Sequence, residues 1–231
     1  FYCQEKPSVL AHIRAVPEAI RAKADAHRRY RETIPGLKAK KIKIAMDEWN
    51  YWYGPHVFGE LGTRYYWKDG LGIAAGLHEF FRCTDIVEMA NYAQAVNVIG
   101  AVKTTATDAW LETTGLVLAL YRKQFGVFPL RIDGAPEPAD LSAALTADRR
   151  TLTLAAINPT GAPLAIDLRL SDLPLAGPGT LHRIAHPDPQ AYNDARSRPV
   201  AIRTTPNVAP TSPLPPLSVS LWRLPLKGPV K

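Results

Sequence analysis

Residues 41–53 read KIKIAMDEWNYWY. Lysine alternates with isoleucine at the start of this run, and the run ends on Asp47 and Glu48 followed by Trp49, Asn50, Tyr51, Trp52 and Tyr53. The alternation predicts a strand over 41–48 whose carboxyl end carries the two acids. Strict alternation places Glu48 on the side of Ile42, Ile44 and Met46, with Asp47 facing the other way. One carboxylate then points toward whatever space the sheet encloses.

Working outward, residues 8–33 carry Leu10, Ile13 and Ile20 at helical spacing until Pro35-Gly36 stops them. Beyond the strand, 71–82 reads as a helix and 85–92 (DIVEMANY) as a second short strand. Residues 110–125 form an amphipathic helix ended by Gly126. Helix, strand, helix, strand, helix predicts a parallel α/β arrangement, in which active sites are built at the carboxyl ends of the strands. The pattern changes near residue 127. Strands are expected at 141–146 and 151–158, joined by a polar turn at 147–150, and at 164–170, 180–184 and 217–224. Prolines 206, 210, 213, 215 and 216 shape a loop before the last of these. The expected division is residues 1–127, α/β, and residues 128–231, a β-sandwich.

Composition narrows the function. The 231 residues are 46% hydrophobic and 21% charged, which excludes a disordered chain and is enough for one to two domains. No apolar run approaches the ~18 residues of a membrane span, so no membrane partner is expected. Two cysteines, Cys3 and Cys83, exclude a disulfide framework and a four-ligand zinc site. The net charge is 28 − 21 = +7, but the basic stretch 21–43 is interleaved with Asp25 and Glu32 and offers only Tyr30 for stacking. It reads as a solvated helix face, and no nucleic-acid partner is expected. Without a Gly-rich phosphate loop or dinucleotide fingerprint, no cofactor is expected either. The first residue is Phe1 and no signal-peptide pattern is present, which leaves a mature protein, a processed chain and a fragment all open, and the cellular location with them.

A carboxylate ringed by Trp and Tyr is the chemistry a sugar requires: rings stack on C–H faces and the acid attacks or protonates at the anomeric carbon. The alternative is an acidic strand end capping an aromatic cluster, and the residues alone leave both open. Gln94, in EMANYAQAVN at 88–97, either binds a hydroxyl pair or serves as an ordinary local hydrogen bonder. His56, His78, His182 and His186 lack metal-ligand spacing and read as surface or satisfied core residues. Cys83, in FFRCTD, reads as a buried small residue, not a nucleophile.

Taken together, DEWNYWY (47–53), LGIAAGLHEFFR (71–82), DIVEMANYAQAVNVIG (85–100), AWLETTGLVLALYRK (109–123) and PPLSVSLWRL (215–224) resemble the second half of glycoside hydrolase family 51, the α-L-arabinofuranosidases. The resemblance implies a (β/α)8 TIM barrel followed by a jelly-roll-like β-sandwich. Residues 1–127 would hold about its seventh and eighth strands with flanking helices, so the barrel is incomplete in this chain. The implied reaction is retaining removal of terminal α-L-arabinofuranosyl groups from arabinan- and arabinoxylan-type saccharides. On this resemblance Glu48 matches the nucleophile, Gln94 a residue that hydrogen-bonds the arabinose, Trp52 an aromatic wall of the sugar site, and Tyr2 the tyrosine beside the nucleophile after the sixth strand.

One departure is large. The family's acid/base is the Glu of an Asn-Glu pair, and no such pair occurs in this sequence. The resemblance therefore implies a partner: the N-terminal portion of the barrel, from another chain or from a segment beyond this one, with a homo-oligomer also compatible. The other readings are an endo-glucanase or xylanase of the same clan and a noncatalytic carbohydrate-binding fragment.

Overall fold

A computed structural model describes residues 1–54, 62–170, 173–210 and 213–230. Helix α1 (Val9–Thr33) starts where Ser8 accepts a hydrogen bond from the Ala11 amide at 3.2 Å, the geometry of an N-cap. Its stripe of Ile13, Val16, Ile20 and Ala24 is buried and packs mainly on α3 (Trp67–Arg82). The short α2 (Leu37–Lys40) separates α1 from β2 (Ile44–Tyr51).

Strands β1 (Tyr2–Cys3), β2 and β3 (Val87–Tyr92) form a parallel sheet in the order β1-β2-β3, with Tyr2 opposite Asn50 and Trp49 opposite Tyr92. Helix α3 approaches β2 so closely that a Cβ on Gly72 would run into the Tyr51 hydroxyl, which itself donates to His12 O at 2.6 Å. After β3 come the hairpin β4 (Val102–Thr104) and β5 (Ala109–Leu111), then α4 (Thr113–Gln124).

The remainder is mostly β-sheet: β6 (Phe128–Leu130), β7 (Asp140–Leu145), β8 (Thr151–Asn158), β9 (Gly179–Ala185), β10 (Arg203–Val208) and β11 (Ser218–Pro225). These lie antiparallel in the order β10-β9-β11-β8-β7-β6. Period-two alternation divides its residues. Ala155, Ile157, Ile184, Val219 and Leu221 join the core of α1, α3 and α4, while Leu152, Leu154, Ala156, Trp222 and Leu224 form a second core on the opposite face.

Polar contacts reinforce the first junction. The 189–191 loop supplies carbonyls to the amides of Trp67 and Lys68 at 2.7 and 2.9 Å, satisfying orphan donors at the start of α3. Trp67 Nε1 donates to Leu217 O at 2.7 Å. At the other end of α3, His78 bridges Tyr121 (2.6 Å) and Asp140 (3.0 Å), and Arg82 adds a further bond to Asp140.

Several sequence expectations are corrected. The strand expected at 41–48 runs Ile44–Tyr51, because Lys41 takes a left-handed backbone (φ 52°) as the C-cap of α2. The alternation along it is also broken. Met46 and Trp49 are both buried although three residues apart, and a register shift lies between them. Asp47 and Glu48 are consequently both exposed, not on opposite sides of a regular strand. Residues 164–170 form no strand. They make one isolated bridge, Leu164 with Leu214, and their alternating Ile166, Leu168 and Leu170 are used to pack over the second core. Residues 110–111 belong to β5, so α4 begins at Thr113. Pro206 sits within the exposed strand β10, an edge position where a missing N–H is tolerated.

The basic stretch is largely occupied by local partners. Arg21 forms a bidentate pair with Glu79 at 2.9 Å, Arg28 bonds Asp25 and Asp85, and Arg31 donates to Ile42 O. His78 and His182 are buried with partners, Tyr121 and Asp140 for the first and Thr204 Oγ1 for the second, and His186 bonds within its own turn at Asp188. His56 lies outside the described residues. Cys83 is buried at the C-cap of α3, and burial pushes its thiol pKa up.

Candidate active site

The carboxyl ends of β1, β2 and β3 bring the candidate residues to one edge of the parallel sheet. Tyr2 pairs across with Asn50, yet its side chain reaches diagonally along β2: the hydroxyl donates to Glu48 Oε2 at 2.7 Å. Trp52 follows directly after β2. Its amide donates to Cys3 O at 3.0 Å, and its ring meets the Tyr2 ring edge-on at 5.1 Å. Both Glu48 and Trp52 are exposed, so the ring and the carboxylate face outward together. Burial and the Glu48 hydrogen bond and charge push the Tyr2 hydroxyl up to about 12, so it stays protonated and donates at neutral pH.

Gln94 lies one strand over, past the end of β3, after an Ala93–Gln94 peptide that is cis. Its amide folds onto its own loop, donating to Val96 O at 3.1 Å and Asn97 O at 3.4 Å. The structure therefore brings Glu48, Tyr2 and Trp52 together and leaves the Gln94 amide bonded locally.

Two buried networks that sequence reading did not single out hold this edge. In the first, Asp69 of α3 bonds His12 of α1 at 2.7 Å, accepts the single proton of the Tyr53 hydroxyl, which lies 3.0 Å from each of its oxygens, and accepts from the Tyr66 amide at 2.7 Å. Tyr53 is next to Trp52, so this network fixes the chain as it leaves the site. In the second, the fully buried Asn50 donates from Nδ2 to Ala93 O, Ile99 O and the Tyr65 hydroxyl at 2.7–2.9 Å. Apart from the Tyr66–Asp69 contact at the start of α3, both networks join residues more than ten apart, so local pattern carried little signal for them. The hint was polar residues, His12, Asn50 and Asp69, standing within otherwise apolar or aromatic surroundings.

Beside the 94–99 loop, a cavity of about 420 Å³ is lined by residues that include Thr63, Lys103, Trp110, Glu112 and Tyr192; none of Glu48, Tyr2, Trp52 and Gln94 lines it. Burial pushes Glu112 up to about 7, against its bonds from the Tyr65 amide (2.9 Å) and Trp110 Nε1 (3.1 Å). Burial also pulls Lys103 down to about 8, while its ammonium donates to Val98 O at 3.0 Å. Among the described residues no group of three His, Cys, Asp or Glu could hold a metal ion.

Residues 47–218 match the model of the α-L-arabinofuranosidase C-terminal domain. The chain belongs to that family. This arabinofuranosidase-family chain is 31% identical over 180 residues to an intracellular exo-α-(1→5)-L-arabinofuranosidase of Streptomyces lividans, covering 67% of the chain and 27% of that protein. Its fold is shared with an α-L-arabinofuranosidase of Thermotoga maritima solved as an arabinose complex (TM-score 0.80, 21% identity, 96% of this chain and 51% of that one). It is also shared with a thermostable GH51 α-L-arabinofuranosidase of Thermotoga petrophila RKU-1 (TM-score 0.77, 22% identity, 90% and 48%). The arabinofuranosidase-family chain thus spans about half the length of these structures and about a quarter of the Streptomyces relative.

Proposed function

We propose that this chain supplies the nucleophile of a retaining α-L-arabinofuranosidase, acting on terminal arabinofuranosyl groups of arabinan- or arabinoxylan-type saccharides. In this reading residues 1–127 are the closing portion of a (β/α)8 barrel, with β1, β2 and β3 as its sixth, seventh and eighth strands, and residues 128–231 are the accompanying jelly-roll-like domain. The open edges of the three-stranded sheet are completed by the N-terminal portion of the barrel, which also brings the acid/base.

The Glu48 carboxylate attacks C1 as the glycosidic C1–O bond breaks, and the leaving oxygen takes a proton from the acid/base carboxyl outside this chain. A glycosyl ester on Glu48 results. Water, losing its proton to the same acid/base, then attacks C1, releases arabinose with retained configuration and restores the Glu48 carboxylate. Tyr2 contributes by holding Oε2, which leaves Oε1 to approach the anomeric carbon. The Trp52 ring offers an apolar face to sugar C–H groups. Gln94 serves the sugar by exchanging its bonds to Val96 O and Asn97 O for substrate hydroxyls.

The observation that carries the proposal is the 2.7 Å Tyr2–Glu48 hydrogen bond beside an exposed tryptophan. Its test is Glu48→Gln in the assembled enzyme, this chain together with the N-terminal portion of the barrel, assayed on an aryl α-L-arabinofuranoside. Activity is expected to fall by about 10³-fold or more, and retention within about tenfold of the parent would contradict it. A parallel panel of aryl glucosides and xylosides separates this reading from the endo-glucanase and xylanase alternative.

A further inference from the structure

We infer that Asn50 is a positioning residue for this reaction: its side-chain amide ties the turn that carries Gln94 to the strand that carries Glu48. The inference rests on the proposed function, since it assigns Asn50 a consequence for sugar binding.

The orientation of the amide is fixed by its surroundings. Asn50 Oδ1 accepts from the Tyr51 amide at 2.7 Å, which aims Nδ2 at Ala93 O (2.7 Å), Ile99 O (2.9 Å) and the Tyr65 hydroxyl (2.7 Å). Tyr65 donates its own proton to Tyr51 O at 2.8 Å, with Ile99 O at 3.2 Å, so it acts as an acceptor toward Asn50. Two N–H donors thus serve three acceptors in a place sealed from water.

Those acceptors bracket the loop. Ala93 precedes Gln94 directly, and Ile99 is where the loop returns, with Gln94 N donating to Ile99 O at 3.4 Å. The returning limb has other anchors: Val98 O accepts from Thr63 N at 2.7 Å and Lys103 Nζ at 3.0 Å. The outgoing limb has backbone bonds too, from Ala93 N to Trp49 O at 3.3 Å and from Ala101 N to Gln94 O at 3.1 Å, and its side-chain bond comes from Asn50, through the Ala93 carbonyl. Because Asn50 stands two residues after Glu48 on the same strand, its side chain joins the Ala93–Trp49 backbone bond in setting the spacing between the nucleophile and the amide that meets the sugar, and it alone clamps both Ala93 O and Ile99 O. A buried carbonyl that loses its donor shifts to find another, and Gln94 moves with it.

The test is a double-mutant cycle in the assembled enzyme, this chain together with the N-terminal portion of the barrel, on an aryl α-L-arabinofuranoside. Asn50→Asp keeps the shape and replaces the donor by an acceptor facing two carbonyls; Asn50→Ser shortens the side chain and serves if the aspartate variant does not fold. KM is expected to rise about tenfold with a smaller change in kcat, and in a Gln94→Ala background the same Asn50 change is expected to add less than about twofold. Full multiplication of the two effects, or an unchanged KM in folded Asn50 variants, overturns the inference. Glu48→Gln in the same series keeps the two claims apart: activity surviving that change overturns the reaction itself, whereas its loss together with multiplicative Asn50 and Gln94 effects overturns the positioning role alone.

Discussion

The Tyr2 hydroxyl lies 2.7 Å from Glu48 Oε2, although Tyr2 sits opposite Asn50 in the β1–β2 pairing. The diagonal reach lets a two-residue strand, barely long enough to pair, orient the one carboxylate proposed to form a covalent bond. A hydrogen bond to a charged acceptor contributes roughly 1.5–3 kcal/mol. Tyr2→Phe keeps the ring and its edge contact with Trp52 and removes only the hydroxyl. kcat/KM in the assembled enzyme is expected to fall by roughly 10- to 100-fold, and because the bond is exposed to solvent where no sugar is bound the thermal midpoint is expected to change little; steady-state kinetics and a melting curve check both.

Trp52 is 40% exposed, so its ring contributes little to the core. Trp52→Ala is expected to raise KM for an aryl arabinofuranoside by about tenfold, as loss of a stacking face would, with little effect on stability. Equal KM values in the two proteins would remove Trp52 from the sugar site.

Asp140 couples α3 to β7 through His78 and Arg82. Burial is the largest single influence on its carboxyl and pushes the pKa up, but the charges and hydrogen bonds of His78 and Arg82 outweigh it and bring the value down to about 2. The folded value is below the unfolded one near 3.8, so the stabilisation is present above that value and is lost as pH falls through about 2. It amounts to roughly 2 kcal/mol. Denaturant titrations between pH 5 and pH 2 should show a steeper loss of stability in the parent than in Asp140→Asn.

Glu112 has the opposite sign. Burial raises its folded pKa from 4.5 to about 7, so its contribution is present below 4.5 and is lost as pH rises through about 7. Lys103 beside it is pulled down from 10.5 to about 8 by burial, so deprotonation relieves a cost and stability from this group recovers as pH rises from about 8 toward 10.5. Glu112→Gln is expected to flatten the decline between pH 4.5 and 7 in a thermal-midpoint profile.

How much of this was legible depended on how local each determinant is. The helix at 8–33 could be read because Ser8 caps it and its apolar stripe recurs at helical spacing. The 151–158 strand was legible for a similar reason, its turn at 147–150 being closed by Thr146 and Thr151. The 41–48 strand was displaced because the conformation of Lys41 is set by α2, a four-residue helix too short to show a period. Segment 164–170 has the alternation of a strand but packs its side chains on the second core without a ladder, and pattern alone does not separate these outcomes. At the site, Glu48 and Trp52 stood out by chemistry and resemblance. Asn50 and Asp69 did not, because their distant partners lie at 65, 93 and 99 and at 12 and 53, and only the fold brings these together.

The central claim is that Glu48 forms the bond to the sugar. The most direct test is to incubate the assembled enzyme, this chain together with the N-terminal portion of the barrel, with a slow-turnover 2-fluoro-arabinofuranosyl donor and map the labelled peptide by mass spectrometry. The expected result is one added glycosyl mass on the peptide containing Glu48, absent in Glu48→Gln. A label on another carboxylate, or rapid hydrolysis of natural substrate by the Glu48→Gln protein, would contradict it.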